Sequence, residues 1–184
     1  MDVTAHDVVD FWRQAGPAKW FARSDAFDAQ CGAHFLETHF HAARREHDGW
    51  MDTAEGALAL VLLLDQIPRN VFRGSAHAYA TDPLARHYAL RAIDAGFDTA
   101  VDLRVDPALR VFFYLPLEHA EDLADQRRSL ALHRGLPGDD ADRWAQLHLE
   151  IIERFGRFPH RNAALGRVTT ADEQAFLDAG GFAG

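Results

Sequence analysis

The sequence predicts an all-α protein, and three observations support that fold class. No segment alternates apolar and polar residues in the way that a half-buried β-strand does. Apolar residues instead recur at helical spacing, as Phe27, Cys31 and Phe35 do. Asp, Ser or Thr precedes most of these apolar segments, in the position that favours a helix start. Successive helices with short connections are typical of antiparallel neighbours, either in a bundle or in stacked helix pairs.

The first two helices are predicted from their caps. Thr4, followed by an acid in the next turn, is typical of an N-cap, and Gly16 with Pro17 ends that helix. Ser24 caps a second, longer helix. We expect this second helix to end near Gly49.

The third helix is the most apolar segment of the chain. Thr53 caps it, and its sequence GALALVLLLDQI is hydrophobic on nearly every side. Such a helix belongs at the centre of a fold. We expect it to end at Pro68, with the irregular segment PRNVFRG after it.

Prolines and glycines predict the bounds of the next helices. An Asp-Pro pair at 82–83 is typical of an N-cap and first turn, and Gly96 closes the helix that it starts. The pair at 106–107 repeats the same signal. Pro116 is expected to kink or break the helix that follows, so that a further segment runs to about His133.

Caps also predict the last two helices. Asp139 or Asp140 is expected to start a helix that Gly156 closes. Thr170 and Glu173 have the spacing of a capping box for a final short helix.

Length and composition are those of one soluble globular domain. The 184 residues are enough for a single core, so we expect one domain over residues 1–184. The longest apolar run, Ala57–Leu64, is too short for a membrane span. The N-terminus has no basic region followed by a long apolar stretch, so we expect no signal peptide and a cytoplasmic location.

Charge and cysteine content exclude several classes of protein. The formal net charge of −9 makes nucleic acid and anionic membranes poor partners. Cys31 is the single cysteine and cannot form an internal disulfide. Its spacing predicts a core position rather than a nucleophile. No motif predicts a cofactor.

The segment FYLPLEHAEDLADQ places acids and a histidine directly after an apolar run. On a helix, Glu118, His119 and Asp122 share one face, which suits acid–base chemistry, and we assign His119 and His160 as the acid–base pair. A metal site built from these four residues is an alternative, although the ligand set is incomplete and we expect no stoichiometric metal. A third interpretation is an acidic first turn that favours the helix dipole.

Further polar residues lie around the prolines at positions 68 and 159, each in a turn after an apolar helix, and form a candidate ligand site. If they converge, the arginines either pair with the protein's own acids or bind a carboxylate or phosphate, and the sequence leaves both open. Trp20, in the loop that begins at Gly16 and Pro17, is a candidate for the wall of a pocket. The candidate ligand-binding residues are Asp65, Gln66, Arg69, Asn70, Arg73, Arg157, Arg161, Asn162 and Trp20.

Several motifs together resemble a known bacterial family, the one catalogued as domain of unknown function 924. The resemblance implies an all-helical fold akin to tetratricopeptide-like α-α superhelices, with stacked antiparallel helix pairs. It implies no activity. The matching motifs are DFW at 10–12, LLLDQIPRN at 62–70, FRG at 72–74, YLPLEHAEDLADQ at 114–126 and RFGRFPHRNAALGR at 154–167.

Two functional hypotheses follow. The first is a helical protein with an inward-facing pocket of Arg, His and acids that binds a small anionic molecule, with acid–base chemistry by histidine. The second is a non-catalytic scaffold that binds a protein or peptide in a groove, with the motif residues as internal supports. The first hypothesis includes the expectation that Asp65, His119 and Arg161 meet in space, because each lies at a helix end.

Overall fold

Helices account for the regular structure of this protein, as predicted. The structure is a computed structural model that describes residues 3–100, 107–138 and 140–184, and within these ranges no strand is present. Asp106 and Asp139, two of the predicted helix-start residues, lie outside the described residues. The α-helices are α1 (Ala5–Ala15), α2 (Pro17–Trp20), α3 (Asp25–Ala43), α4 (Ala54–Val61), α5 (Ile67–Val71), α6 (Asp82–Asp94), α7 (Leu115–Glu118), α8 (Leu123–His133), α9 (Arg143–Phe155) and α10 (Ala171–Asp178).

The chain divides into two compact units. The first contains Met1–Arg73 and His77–Pro116, and the second contains Gly74–Ala76 and Leu117–Gly184. The expectation that the chain forms one domain stays a prediction.

Four predicted N-caps are confirmed. Thr4 and Thr170 each form a capping box with the acid three residues later. Ser24 accepts from the amide of the third residue of α3, and Thr53 does the same for α4. Each cap satisfies an amide that has no partner inside its own helix.

The apolar helix α4 lies in the core of the first unit, as predicted. Every residue from Ala57 to Leu64 is fully buried. Helix α4 packs against α1 and α6, while α3 packs against α5. Cys31, on α3, is a buried free thiol, and burial raises its pKa to about 12. The prediction of a core cysteine is therefore confirmed.

The prediction that this helix ends at Pro68 is wrong. After α4 the chain continues as a π-helical segment, Leu62–Gln66, and then as α5, which contains Pro68 in its first turn. The helical path therefore extends to Val71. The irregular segment predicted after Pro68 begins later.

Side chains compensate for the backbone donor that Pro68 lacks. A proline provides no N–H for the carbonyls one turn before it. The carbonyl of Leu63 accepts instead from Nδ1 of His39 at 2.8 Å, and that of Leu64 accepts from Oγ1 of Thr81 at 2.6 Å. The helix thus passes a proline with these carbonyls satisfied.

The second predicted helix ends earlier than expected. Helix α3 stops at Ala43, not near Gly49. Arg45 follows with φ of +64°, a left-handed conformation that no helix interior accepts. A 3-10 helix, Asp48–Asp52, then leads to α4.

Two other helix starts differ by one or two residues from the prediction. Helix α6 has Thr81, not Asp82, in the N-cap position. Helix α9 has Asp142, not Asp140, in that position.

The break predicted at Pro116 falls after it. The preceding segment, Pro107–Phe113, is a 3-10 helix, and α7 contains Pro116 near its start, where the missing N–H costs little. The chain leaves helical conformation after Glu118 and resumes at Leu123. Glu118 is therefore the last residue of α7, while Glu121 and Asp122 lie in the short loop between α7 and α8.

Helices α8 and α9 pack against each other in the second unit. Their core residues are Leu130, Ala145, Leu149, Ile151 and Ile152, with Phe158 after α9. Among the residues that the structure describes, no helix combines the length and the apolar character that crossing a membrane requires.

Candidate functional site

Asp65 and Gln66, two predicted ligand-binding residues, are engaged within the first unit. Asp65 is fully buried, and its carboxylate accepts from Nε2 of Gln66 at 2.6 Å. Nη1 of Arg69 lies 3.2 Å from the same carboxylate, and its fork also binds Asp82 at 2.8 and 3.0 Å. Burial opposes the charge of Arg69, but the two carboxylates outweigh it and raise the pKa of the guanidinium.

The other predicted ligand residues of the first unit also have internal contacts. The Arg73 fork binds Asp28 through two hydrogen bonds of 2.9 Å. Nδ2 of Asn70 donates to the carbonyl of Gln66 at 3.1 Å. The ring of Trp20 is buried, and its Nε1 donates to a backbone carbonyl of α1 at 2.6 Å. In the first unit these side chains thus bind other groups of the chain.

A second arginine fork holds the start of α10 in the second unit. Arg157 donates to both oxygens of Glu173, at 2.6 and 2.8 Å, and to the carbonyl of Val168. The Arg157 hydrogen bonds are the main cause that lowers the pKa of Glu173 to about 2. Nδ2 of Asn162 donates to the same carboxylate at 3.2 Å.

Of the three motif blocks that we expected to meet, those of Asp65, His119 and Arg161, the last two lie together in the second unit. Glu121, in the loop after α7, accepts from the amide of Phe158 at 2.8 Å and from the fork of Arg167 at 2.7 and 2.9 Å. Nη1 of Arg161 donates to the carbonyl of His119 at 3.0 Å. The guanidinium of Arg161 also lies 4.4 Å from the ring centre of Phe158. That the block containing Asp65 joins them stays a prediction.

The buried carboxyl group of Glu118 is the centre of the candidate site. Glu118 is 3% exposed and ends α7. Its Oε2 lies 3.3 Å from Nε2 of His133, and its Oε1 lies 3.3 Å from Nδ1 of His148. Each imidazole also hydrogen-bonds a carbonyl four residues earlier on its own helix, Ser129 at 2.9 Å and Trp144 at 2.8 Å. We call Glu118, His133 and His148 the Glu118 triad.

Further imidazoles and aromatic rings surround His148. The ring centre of His119 lies 6.4 Å away and that of Phe158 lies 5.3 Å away. The ring of His160 lies 5.6 Å from that of Phe158. Burial is the main cause that lowers the pKa of His148 to about 3, and the charges of His119, Arg161 and His160 act in the same direction.

The segment after α10 packs against these rings. Gly180 has φ of +79°, and a Cβ at Gly181 would lie 2.6 Å from the ring of Phe176, so the turn favours glycine at both positions. This turn carries the ring of Phe182 to 4.6 Å from His148 and 5.2 Å from His160. A Cβ at Gly184 would lie 3.1 Å from Cδ2 of His160.

Sequence reasoning missed His133 and His148. Both occupy core positions of amphipathic helices, His133 three residues after Leu130 and His148 three residues after Ala145. An imidazole in the buried stripe of a helix requires a polar partner in the core. That pattern was the available signal, and it named no partner.

Asp122 lies outside this site. It is exposed and is the N-cap of α8, where its carboxylate accepts from the amides of Ala124 and Asp125 at 2.9 and 3.0 Å. Within the part of the chain that the structure describes, no three His, Cys, Asp or Glu side chains are grouped to hold a metal ion. In the Glu118 triad, Nδ1 of both imidazoles faces a carbonyl, so neither of these nitrogens presents a lone pair.

The chain is thus an all-α protein whose second unit gathers four histidines near a buried carboxyl group. It belongs to the family described as Bacterial protein of unknown function (DUF924), whose model matches residues 8–181. Among solved structures it is similar to a protein of unknown function from Agrobacterium tumefaciens, at 55% identity and a TM-score of 0.90, over 95% of this chain and 97% of that one. No curated protein matches it. The family resemblance is confirmed, and the relation to tetratricopeptide-like superhelices stays a prediction.

Proposed function

We propose that the second unit binds a small anionic molecule and carries acid–base chemistry by histidine. The observation that supports this function most directly is the Glu118 triad, because burying a carboxyl group and two imidazoles is costly for a purely structural core. Buried titratable groups beside partly exposed ones, as these histidines are, are typical of sites that transfer protons.

The four histidines differ in exposure, and we assign their roles accordingly. His133 and His148 are buried, whereas His119 and His160 are partly exposed. In our proposal the two partly exposed imidazoles reach the ligand and exchange protons with it. Arg161 attracts the anion, since a guanidinium binds carboxylate or phosphate in a forked geometry.

A ligand screen on the purified protein tests the proposal. We expect at least one anionic metabolite class to raise the melting temperature, because a ligand that binds only the native state stabilises it. His119→Ala is expected to abolish this response with a small loss of stability. His87→Ala, at an exposed position of α6, is the control and is expected to respond like the wild type.

Two outcomes would contradict the proposal. One is a broad anion screen with no stabilising compound. The other is a His119→Ala protein that retains the full response to an identified ligand.

A specific observation favours a second candidate, a non-catalytic scaffold. The forks of Arg73, Arg157 and Arg167 each bind a carboxylate of the chain itself. Their roles as internal supports match those expected in a tetratricopeptide-like helical repeat. Peptide capture from a random library, combined with a blank metabolite screen, would favour this scaffold over the first proposal.

A further inference from the structure

The hydrogen-bond roles of the Glu118 triad follow from its geometry. Nδ1 of His133 lies 2.9 Å from the carbonyl oxygen of Ser129. The hydroxyl of Ser129 lies farther away, at 3.2 Å from the same nitrogen, and can accept as well as donate. A carbonyl oxygen only accepts, so we assign a hydrogen to Nδ1 of His133 from this nearer contact. By the same reasoning Nδ1 of His148, 2.8 Å from the carbonyl of Trp144, is a donor. The same nitrogen lies 3.3 Å from Oε1 of Glu118.

A proton is therefore required between Glu118 and His133. With the hydrogen of a neutral His133 on Nδ1, its Nε2 has only a lone pair, and this atom lies 3.3 Å from Oε2 of Glu118. Two lone pairs facing each other would repel. Either Glu118 is a carboxylic acid that donates to Nε2, or His133 is an imidazolium that donates to a carboxylate.

Burial favours the uncharged form of this pair. Glu118 is 3% exposed and His133 is 2% exposed. Separating charge in such surroundings is costly, and a single contact seldom offsets that cost. Burial is also the main cause that lowers the pKa of His133.

The charged neighbours of the pair do not reverse this preference. Asp142, at the start of α9, favours a positive His133, whereas His119, in the loop after α7, opposes it. Arg161 and His160, in the segment after α9, act on the neighbouring His148 as positive charges. His119 therefore makes an imidazolium at position 133 more costly.

We propose that Glu118 is an uncharged carboxylic acid at neutral pH, that it donates its proton to Nε2 of His133, and that it is the buried proton donor of the second unit. His133 is a positioning residue that holds this acid in place. The role as a donor to a ligand rests on the function proposed above, but the protonation state does not. The pair is net neutral, and it can release one proton when its surroundings change.

Infrared spectroscopy of the whole protein tests the protonation state directly. Exposed carboxyl groups are ionised at neutral pH, so a carboxylic-acid C=O band is distinctive there. We expect such a band in the wild type and its loss in Glu118→Gln. Glu121→Gln is the matched control, because the Glu121 carboxylate is bound to Arg167 and contributes no acid band.

Nitrogen NMR of the wild type gives an independent readout that needs no substitution at position 118. With the His133 ring assigned through bonds to its backbone, we expect a protonated Nδ1 and an unprotonated, hydrogen-bonded Nε2. A carboxylate at Glu118 would instead favour a hydrogen on Nε2 of His133, so this nitrogen distinguishes the two protonation states.

Two results would overturn the proposal. One is an imidazolium at His133, with both ring nitrogens protonated at neutral pH. The other is a difference spectrum between wild type and Glu118→Gln without a carboxylic-acid band. If Glu118→Gln fails to fold, the nitrogen spectrum decides alone. Neither spectrum requires a ligand. The protonation state of Glu118 is therefore decided even if the ligand screen finds no stabilising anion, and the two proposals can fail separately.

Discussion

Each of the two units contains a buried carboxyl group, but the partners of that group differ. In the first unit Asp65 faces Arg69, whose guanidinium stays charged at every pH at which proteins fold. In the second unit Glu118 faces two imidazoles, which unlike a guanidinium can lose their charge, and burial is the main cause that lowers the pKa of both. The first arrangement links the helical segment around Asp65 to the start of α6, and the second can respond to protons. Motif residues of similar type thus have different physical roles in the two units.

The largest expected effect concerns the fixed charge of the first unit. Arg69→Met leaves the buried Asp65 and its neighbour Asp82 without their cation, and we expect it to lower the free energy of unfolding by about 3 kcal/mol. Urea unfolding followed by circular dichroism measures this change. Arg73→Met removes an outer fork and is expected to cost less than about 1 kcal/mol. Equal losses in both variants would contradict the distinction between a half-buried arginine and an exposed one.

The second effect concerns the titratable second unit. Because the pKa of His148 is lowered to about 3, the folded protein keeps this ring neutral, while the unfolded chain takes up a proton near pH 6.5. The stability from His148 is therefore complete above pH 6.5 and is lost as the pH falls towards 3. At pH 5 we expect a loss of about 2 kcal/mol from this residue.

The pH dependence is assigned to His148 by comparing variants. The wild type should lose more unfolding free energy between pH 7 and pH 5 than His148→Gln does. His87→Gln, exposed on α6, is the control with an expected pH dependence like that of the wild type. Equal slopes in the wild type and His148→Gln would disprove the assignment.

A third prediction tests how the first unit satisfies its backbone near Pro68. Thr81→Val removes the hydroxyl that donates to Leu64, and we expect a cost of about 1–2 kcal/mol from the buried carbonyl left without a donor. Thr81→Ser retains the hydroxyl and should keep most of the stability. In a Pro68→Ala background a backbone N–H becomes available, so the same Thr81→Val change should cost less there. A full cost in both backgrounds would show that the hydroxyl does not replace the missing donor.

The smallest effect concerns Asp122, which sequence reasoning assigned to catalysis. As the N-cap of α8, Asp122→Ala should lower the free energy of unfolding by about 1 kcal/mol. Asp122→Ser restores a capping oxygen and should restore stability. Both variants should respond to an identified ligand like the wild type in the thermal-shift assay. Loss of that response in Asp122→Ser would show that Asp122 belongs to the ligand site.

Local features of the fold were predictable from the sequence. The caps at Thr4, Ser24, Thr53 and Thr170 depend on contacts within three residues, so the pattern of letters contains the necessary information. The buried apolar helix α4 was equally evident from its composition. These interactions require no knowledge of distant parts of the chain.

Interactions between distant residues were not predictable in the same way. The helix passes Pro68 because His39 and Thr81, far away in sequence, satisfy its carbonyls. Likewise Glu118 meets His133 and His148 only once α8 and α9 pack together. The sequence identified Glu118 and His119 as candidates, but the pairing of imidazole with carboxyl group is a property of the packing.

The turn at Gly180 and Gly181 has a practical consequence for protein production. Because Phe182 packs on His148 and His160, and Gly184 lies against His160, a purification tag fused after Gly184 would start beside the candidate site. A C-terminal polyhistidine tag would also add imidazoles there and confuse both metal analysis and histidine spectra. Recombinant material with a cleavable tag placed before α1 avoids this interference.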